Sequence, residues 1–307
     1  MSAEFNKNLS YDDFVIKAKT AINNNMLDQA LDSLISAYQL QQTIEVNHLL
    51  VTVLMAQNQY QEAQVYANEY FDSYLDNKED VQLYLSLILH NHYFLNAWEL
   101  LTWLPEKWQL TFTKKIQEAE SNYRDTQAQT IKMIARHFYH LSDGELADQQ
   151  KRLMAANKLP RDEYVMGAKF ILRDPFLPQM SRVSILDQLR RIDVSETVMF
   201  LDLTETLVPV VPNHLQDIMH DKTYQKIIDA LSDYEKELGP DMIHGLGEQV
   251  KLLLMLAYPD LTLVVEDTKS WVAGLVAETF GMPMPVESEK QMIWRQKLQK
   301  NLINILN

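Results

Sequence analysis

The segment "VMFLDLTETLV" at 198–208 holds the residues best suited to catalysis. An apolar run leads into Asp202, and a carboxylate at the end of a strand can act as a nucleophile. Phosphoryl transfer from such a group also needs an acid for the leaving group and acidic side chains that hold Mg²⁺. The segment therefore offers one candidate nucleophile.

The same segment resembles the first motif of the haloacid-dehalogenase-like phosphatases. Asp202, Thr206 and Leu207 match that motif. Thr204 stands where the family has a second Asp as general acid, and Glu205 replaces the usual Gly. The resemblance implies a Rossmann-like parallel sheet, a downstream Lys and a pair of metal-binding acids, but the sequence that follows predicts helices. A phosphatase-like enzyme that uses Asp202 is thus the least favoured of three functions.

Histidines occur close together at His90 and His92 and at His137 and His140. The second pair is spaced i,i+3, so the two side chains could share one helix face and bind a metal with a nearby acid. Neither pair belongs to an HExxH motif or another full ligand set. The sequence also has no GxxxxGK[ST], GxGxxG or GxSxG loop. We therefore predict a protein that is not an enzyme, with no catalytic residue, no metal and no cofactor.

Composition limits the remaining classes. The chain has 307 residues, of which 47% are hydrophobic and 23% charged, as in soluble globular proteins. It has no cysteine, which excludes disulfides and cysteine nucleophiles and fits an intracellular protein. The sequence shows no signal peptide and no apolar stretch long enough to cross a bilayer. These features predict a cytoplasmic protein without a membrane partner.

The charge of −14 is unevenly distributed. Residues 1–106 carry 14 acidic and 4 basic side chains, which argues against binding to a phosphate backbone. The short basic runs at 151–152 and 190–191 are flanked by acids and typical of solvated helix faces. The sequence thus predicts no nucleic-acid partner, and its acidic first third is compatible with a basic protein or peptide.

A repeat is visible in the first hundred residues when Ala30, Ala63 and Ala97 are aligned, at steps of 33 and 34 residues. The aligned columns at three residues before, four after and seven after each alanine are all apolar or small: Leu27, Tyr60 and Phe94; Leu34, Ala67 and Leu101; Ala37, Tyr70 and Leu104. Small residues let two helices approach closely, and the larger ones face the next helix pair. A single pair cannot bury such a stripe, so neighbouring pairs must stack.

This pattern resembles the tetratricopeptide repeat (TPR), a helix–turn–helix unit of about 34 residues. Val51 and Leu85 depart from it, because the family has a small residue in that column. The resemblance implies an all-α solenoid of helical hairpins. The chain as a whole looks like cytosolic bacterial proteins that contain such repeats.

The sequence divides into two predicted domains. Residues 1–191 form a TPR-like α-solenoid, with clear repeats over about 11–105 and degenerate ones after. Residues 192–307 form a divergent α-rich domain with a small β-hairpin near 198–211, in which Pro209 restricts the second strand to an edge. The helical patterning also predicts separate helices at 107–121 and 123–141 and a helix at 213–219.

The first helices of TPR-like arrays line a concave groove. Transfer of the family's groove columns by register gives these candidate partner-binding residues: Asn23, Glu45, His48, Thr52, Met55, Glu79, Gln82, Ser86 and His90. Their mixed polar and apolar character suits an extended peptide or a partner helix. They lack the Lys, Asn and Arg set with which chaperone-binding members of the family hold a terminal carboxylate. The groove could equally be filled by later helices of the same chain.

The favoured function is a non-catalytic adaptor or scaffold that presents this groove to a protein or peptide. The second hypothesis is an intracellular sensor of signalling peptides. Such regulators usually carry a DNA-binding helix-turn-helix before the repeats, whereas about ten residues precede the first repeat here. The sequence does not predict the identity of the partner or the oligomeric state.

Overall fold

The computed structural model describes residues 9–306, except for the side chains at 146 and 304–306. Contacts divide the chain into two compact units. The first comprises the residues up to Ile134 together with Met154–Arg161, and the second comprises Ala135–Leu153 and the residues from Asp162 onwards. The predicted boundary at residue 191 lies inside the second unit. The described chain is mostly helical with one small antiparallel sheet, which confirms the predicted helical class and hairpin.

Six helices form the first part of the first unit, and each contacts the next along the chain. They pair as α1 with α2, α3 with α4, and α5 with α6, and a 3₁₀ turn at Phe71–Leu75 lies between the second and third pairs. The helices are α1 Tyr11–Asn23, α2 Leu27–Leu40, α3 Ile44–Ala56, α4 Tyr60–Glu69, α5 Lys78–His90 and α6 Phe94–Trp103.

Each pair is joined by the same short turn. Asn25, Asn58 and His92 occupy equivalent positions and have φ of 56°, 60° and 61°. The next amide in each turn donates to a carbonyl five residues back, over 2.9 Å in all three cases: Met26 to Ala21, Gln59 to Leu54 and Tyr93 to Ile88. A left-handed residue with this bond is a common way to end a helix, and Asn tolerates that conformation well.

The three aligned alanines take the same place in the three pairs. Ala30, Ala63 and Ala97 are each the fourth residue of the second helix, and the exposed fraction of each is 0%. Around them lie two clusters of buried residues, one centred on α1–α3 and one on α3–α7. A methyl side chain at this point allows the two helices of a pair to approach closely.

The helix that follows differs from the prediction. Residues Glu106–Tyr139 form α7, which consists of two helical segments joined at a kink where Gln127 has non-helical backbone angles (φ −127°, ψ 28°). The two predicted helices are therefore present, but the break between them lies at Gln127 and not near residue 122. The segment contains no Gly or Pro, so no residue in it stops a helix.

The later elements are seven helices of 11 to 18 residues, one helix of four residues and the hairpin. Two 3₁₀ turns, Pro212–His214 and Ile218–His220, replace the helix predicted at 213–219, because the Asp217 side chain accepts from the Met219 amide and starts a new turn. No helix within the described residues combines the length and apolar character needed to cross a membrane. The helices are α8 Leu146–Ala156, α9 Arg161–Ile171, α10 Gln179–Arg191, α11 Lys222–Ser232, α12 Glu235–Leu238, α13 Pro240–Met255, α14 Thr268–Phe280 and α15 Glu289–Leu306.

The hairpin consists of β1 (Val198–Leu201) and β2 (Leu207–Val210), with Met199 opposite Pro209. Its loop contains Glu205 at φ 62°. Side chains alternate across a strand, and Met199, Leu207 and Pro209 are exposed on one face. The hairpin thus presents an apolar face to solvent.

Candidate functional site

The predicted groove residues all lie on the first helices of the three pairs. Asn23 is on α1, Glu45, His48, Thr52 and Met55 are on α3, and the others are on α5. His48, Met55 and Ser86 are half-buried, and the remaining six are exposed. The candidates are Asn23, Glu45, His48, Thr52, Met55, Glu79, Gln82, Ser86 and His90.

Polar side-chain contacts connect the first helices to one another. Lys19 Nζ on α1 lies 2.5 Å from Glu45 Oε1 on α3. His48 Nδ1 on α3 lies 3.4 Å from Asp80 Oδ1 on α5, and its Nε2 is 2.8 Å from Ser73 Oγ. These contacts show that α3 lies within side-chain reach of both α1 and α5.

A cleft of about 300 Å³ lies between α5 and α7. We call it the α5–α7 cleft, and it brings together two of the predicted groove residues, Ser86 and His90. The other predicted residues lie outside it. Its lining consists of Ser86, Leu89, His90, His92, Ala119, Asn122, Tyr123 and Thr126.

Both histidines of the cleft are held by aromatic stacking. The His90 ring lies parallel to Tyr60 at a centroid distance of 4.2 Å, and the His92 ring stacks on Tyr123 at 4.4 Å. Burial lowers the pKa of His92 from its ordinary value of 6.5, and the positive charges of Lys158 and His90 lower it further. His92 is therefore neutral at neutral pH, so its imidazole can both donate and accept a hydrogen bond.

Three predicted residues are already engaged within the chain. Glu45 forms an ion pair with Lys19, His48 contacts Asp80, and Met55 packs against the core centred on α3–α7. Thr52 Oγ1 donates to the His48 carbonyl at 2.7 Å, which is a bond within its own helix. Glu79 and Gln82 are exposed at the beginning of α5.

Sequence analysis missed the α7 side of the cleft. Asn122, Tyr123 and Thr126 contribute to it, but they lie outside the three clear repeats and their register could not be assigned. It also missed two buried asparagines. Asn47 Nδ2 donates to the Tyr66 carbonyl at 2.8 Å, and Asn91 Nδ2 donates to the Tyr60 carbonyl at 2.9 Å. The signal that could have identified Asn47 was its position within the apolar sequence of α3.

Asp202 has a structural role in the hairpin loop. Its Oδ1 accepts from the Thr204 amide at 2.8 Å, from Thr204 Oγ1 at 2.7 Å and from the Thr206 amide at 3.0 Å. A carboxylate that accepts from amides two and four residues on is typical of a capped turn. The "DLTET" pattern therefore has an explanation in turn geometry. Among the residues with described positions, no group of three or more acidic or histidine side chains is arranged to hold a metal.

Comparison with known proteins identifies no relative of this chain. No protein-family model matches the chain, and no match is found among curated proteins or solved structures. The candidate site therefore depends on the chain's own contacts, of which the α5–α7 cleft and the polar contacts between the first helices are the most specific.

Proposed function

We propose that the chain is a non-catalytic adaptor whose TPR-like array binds an extended peptide of a partner protein along α1, α3 and α5. The observation that carries this proposal is the identical turn in the three helix pairs. Because each pair reverses the chain through the same turn, we propose that the first helices lie on one side of the array and the second helices on the other. Exposed polar side chains then follow one another along the first helices.

The α5–α7 cleft is the proposed anchor point for that peptide. Ser86, Asn122 and Thr126 supply hydrogen-bonding groups, while Leu89 and Tyr123 supply apolar surface. A cleft of about 300 Å³ is at the small end of ligand-binding pockets, so it accommodates one or two side chains rather than a folded domain. This mixture is suited to a peptide whose main chain and side chains are both contacted.

The charge of the array indicates which charge the peptide carries outside the cleft. Glu79 is exposed at the start of α5, and the first 106 residues hold 14 acids against 4 bases. A basic segment that extends from the cleft toward the beginning of α5 would therefore be electrostatically favoured. In this proposal the protein is cytoplasmic and binds neither nucleic acid nor membrane.

A charge-matched pair of variants tests the proposal. Random dodecamer peptides displayed on phage are selected on the purified full chain, and the dissociation constants of the synthesised winners are measured by fluorescence anisotropy. Ser86→Arg fills the α5–α7 cleft, so we expect it to weaken binding at least about tenfold, equivalent to about 1.4 kcal/mol. Asn96→Arg adds the same side chain to the exposed side of α6 and leaves the dissociation constant unchanged.

Circular dichroism and thermal unfolding of both variants establish that they remain folded. Equal affinity of the two arginine variants for every selected peptide would contradict the proposed site. Failure to select any peptide on the wild-type chain would contradict the proposed function itself.

A further inference from the structure

The connection between α14 and α15 combines two prolines with high exposure. Residues 282–288 read "MPMPVES" and form neither helix nor strand. The exposed fraction is 99% for Val286 and 47% for Met284. We call residues 282–286 the proline segment. It is an apolar stretch of main chain that the fold leaves largely in solvent.

Steric restriction extends the backbone of the proline segment. The ring of a proline fixes its φ at about −65°, and the helical region is disfavoured for the residue before a proline. Met282 and Met284 each precede a proline, so all four residues from 282 to 285 are restricted in this way. Consecutive restricted residues favour the polyproline II helix, which has about three residues per turn and no internal hydrogen bonds.

Burial along the proline segment repeats every three residues. Met282 and Pro285 are half-buried, whereas Pro283 and Val286 are exposed. Residues three apart lie on the same side of a polyproline II helix, so this pattern is the one that such a helix gives when one side packs on the protein. The opposite side forms an exposed ridge, which consists of Pro283 and Val286.

Both ends of the proline segment are fixed. Gly281 has a left-handed backbone with φ 66°, and the next amide, that of Met282, donates to the Ala277 carbonyl at 3.0 Å. This arrangement is a common end of a helix. At the other end the Glu287 side chain is 4% exposed and accepts from Arg295 Nη1 at 2.5 Å. A segment held at both ends loses little conformational entropy when it binds.

The main chain of the proline segment is available to a partner. Within the described part of the chain, no residue from 283 to 286 makes a hydrogen bond. Pro283 and Pro285 have no amide hydrogen and a fixed φ, so the segment is poorly suited to join a sheet as a further strand. Its carbonyls can instead accept from the N–H of Trp or the O–H of Tyr. Aromatic-lined grooves recognise this combination of an extended apolar ridge and proline-restricted main chain.

We propose that the proline segment is a polyproline II ligand for a partner domain with an aromatic-lined groove, which is the recognition chemistry of SH3 and WW domains. Pro283 and Val286 pack between aromatic side chains of that groove, while Met282 and Pro285 remain packed on the chain itself. The segment is extended before it binds, so binding requires little further ordering. The inference involves no residue of α1, α3, α5 or the α5–α7 cleft and goes beyond the adaptor function proposed above.

An array of purified SH3, WW and EVH1 domains tests this inference on the full chain. The domains that bind the wild-type chain are titrated by isothermal calorimetry. We expect Pro283→Asp and Val286→Asp to weaken their binding at least about tenfold, because each change places a carboxylate between aromatic rings. Pro285→Gly leaves the exposed ridge intact but frees the backbone, so it should weaken binding at least about twofold.

Ile293→Asp is the matched control, because Ile293 is 51% exposed on α15 and lies outside the proline segment. It should leave the dissociation constants unchanged, and circular dichroism establishes that all four variants are folded. The proposal is overturned if no domain of the array binds the wild-type chain, or if the binding domains tolerate both aspartate substitutions in the segment. Unchanged binding of Pro285→Gly would also contradict it, since the recognised conformation would then not be the polyproline II helix.

Discussion

Replacement of Arg295 by alanine is expected to lower the free energy of unfolding by about 3 to 5 kcal/mol. The side chain has 0% exposure and lies between two carboxylates. Its Nε and Nη2 donate to Glu278 at 2.9 and 3.0 Å, and its Nη1 and Nη2 donate to Glu287 at 2.5 and 2.6 Å. Truncation leaves Glu287 buried without its counter-charge, which is more costly than loss of the contact alone.

The surroundings of Arg295 show how closely it is fitted. A Cβ added at Gly274 would lie 2.3 to 2.5 Å from the guanidinium, so no larger residue is accommodated there. Burial alone would raise the pKa of Glu287, but the hydrogen bonds from Arg295 and Gln291 and the charge of Arg295 lower it. The Gln291 side chain also accepts from the amides of Glu266 and Asp267 at 2.9 and 2.8 Å.

Urea unfolding followed by circular dichroism measures the effect of Arg295→Ala. Lys300→Ala, which removes an exposed cation from the same helix, serves as the control and should change the free energy of unfolding by less than about 0.5 kcal/mol. An Arg295→Ala variant within about 1 kcal/mol of wild type would show that the paired carboxylates do not need the guanidinium.

Enlargement of Ala63 to phenylalanine is expected to destabilise the first unit by about 3 kcal/mol, at the upper end for overpacking. Ala63 has 0% exposure and lies in the first turn of α4, next to the turn that joins α3 to α4. A benzyl group there must push the helices of the pair apart, and it disturbs the core that continues into α5. The same change at Ala30 or Ala97 should have a similar effect, since the three positions are equivalent.

Ala56→Phe is the matched control, because Ala56 is exposed at the end of α3 and the change there costs only a difference in helix propensity, about 0.5 kcal/mol. Free energies of unfolding from urea titration decide the comparison. If Ala63→Phe and Ala56→Phe were equally stable, the close approach of paired helices at the aligned alanines would be contradicted.

The local parts of the fold could be predicted from sequence. The aligned alanines, the turns before them and the hairpin around Glu205 each depend on residues close together in the chain, and the structure has all three. The position of the kink at Gln127 could not be predicted, because neither Gly nor Pro marks it. The sequence around Asp202 was misleading, because a turn-capping Asp and a nucleophilic Asp cannot be distinguished by residue type alone.

The site could be predicted only in part, because its members come from distant elements. Register transfer identified Ser86 and His90, but Tyr123 and Asn122 reach the same cleft from α7, outside the clear repeats. Arg295 and its two carboxylates likewise come from different segments, and no spacing rule connects them.

The central claim, that partners bind along the first helices, is tested most directly by hydrogen–deuterium exchange with a selected peptide bound. The account predicts slower exchange in α5 and the part of α7 around Tyr123, extending to α3, with α2, α4 and α6 unchanged. Ser86→Arg mixed with the same peptide should show no protection. Protection confined to α2, α4 and α6 would contradict the claim, because it would place the peptide on the opposite side of the helix pairs.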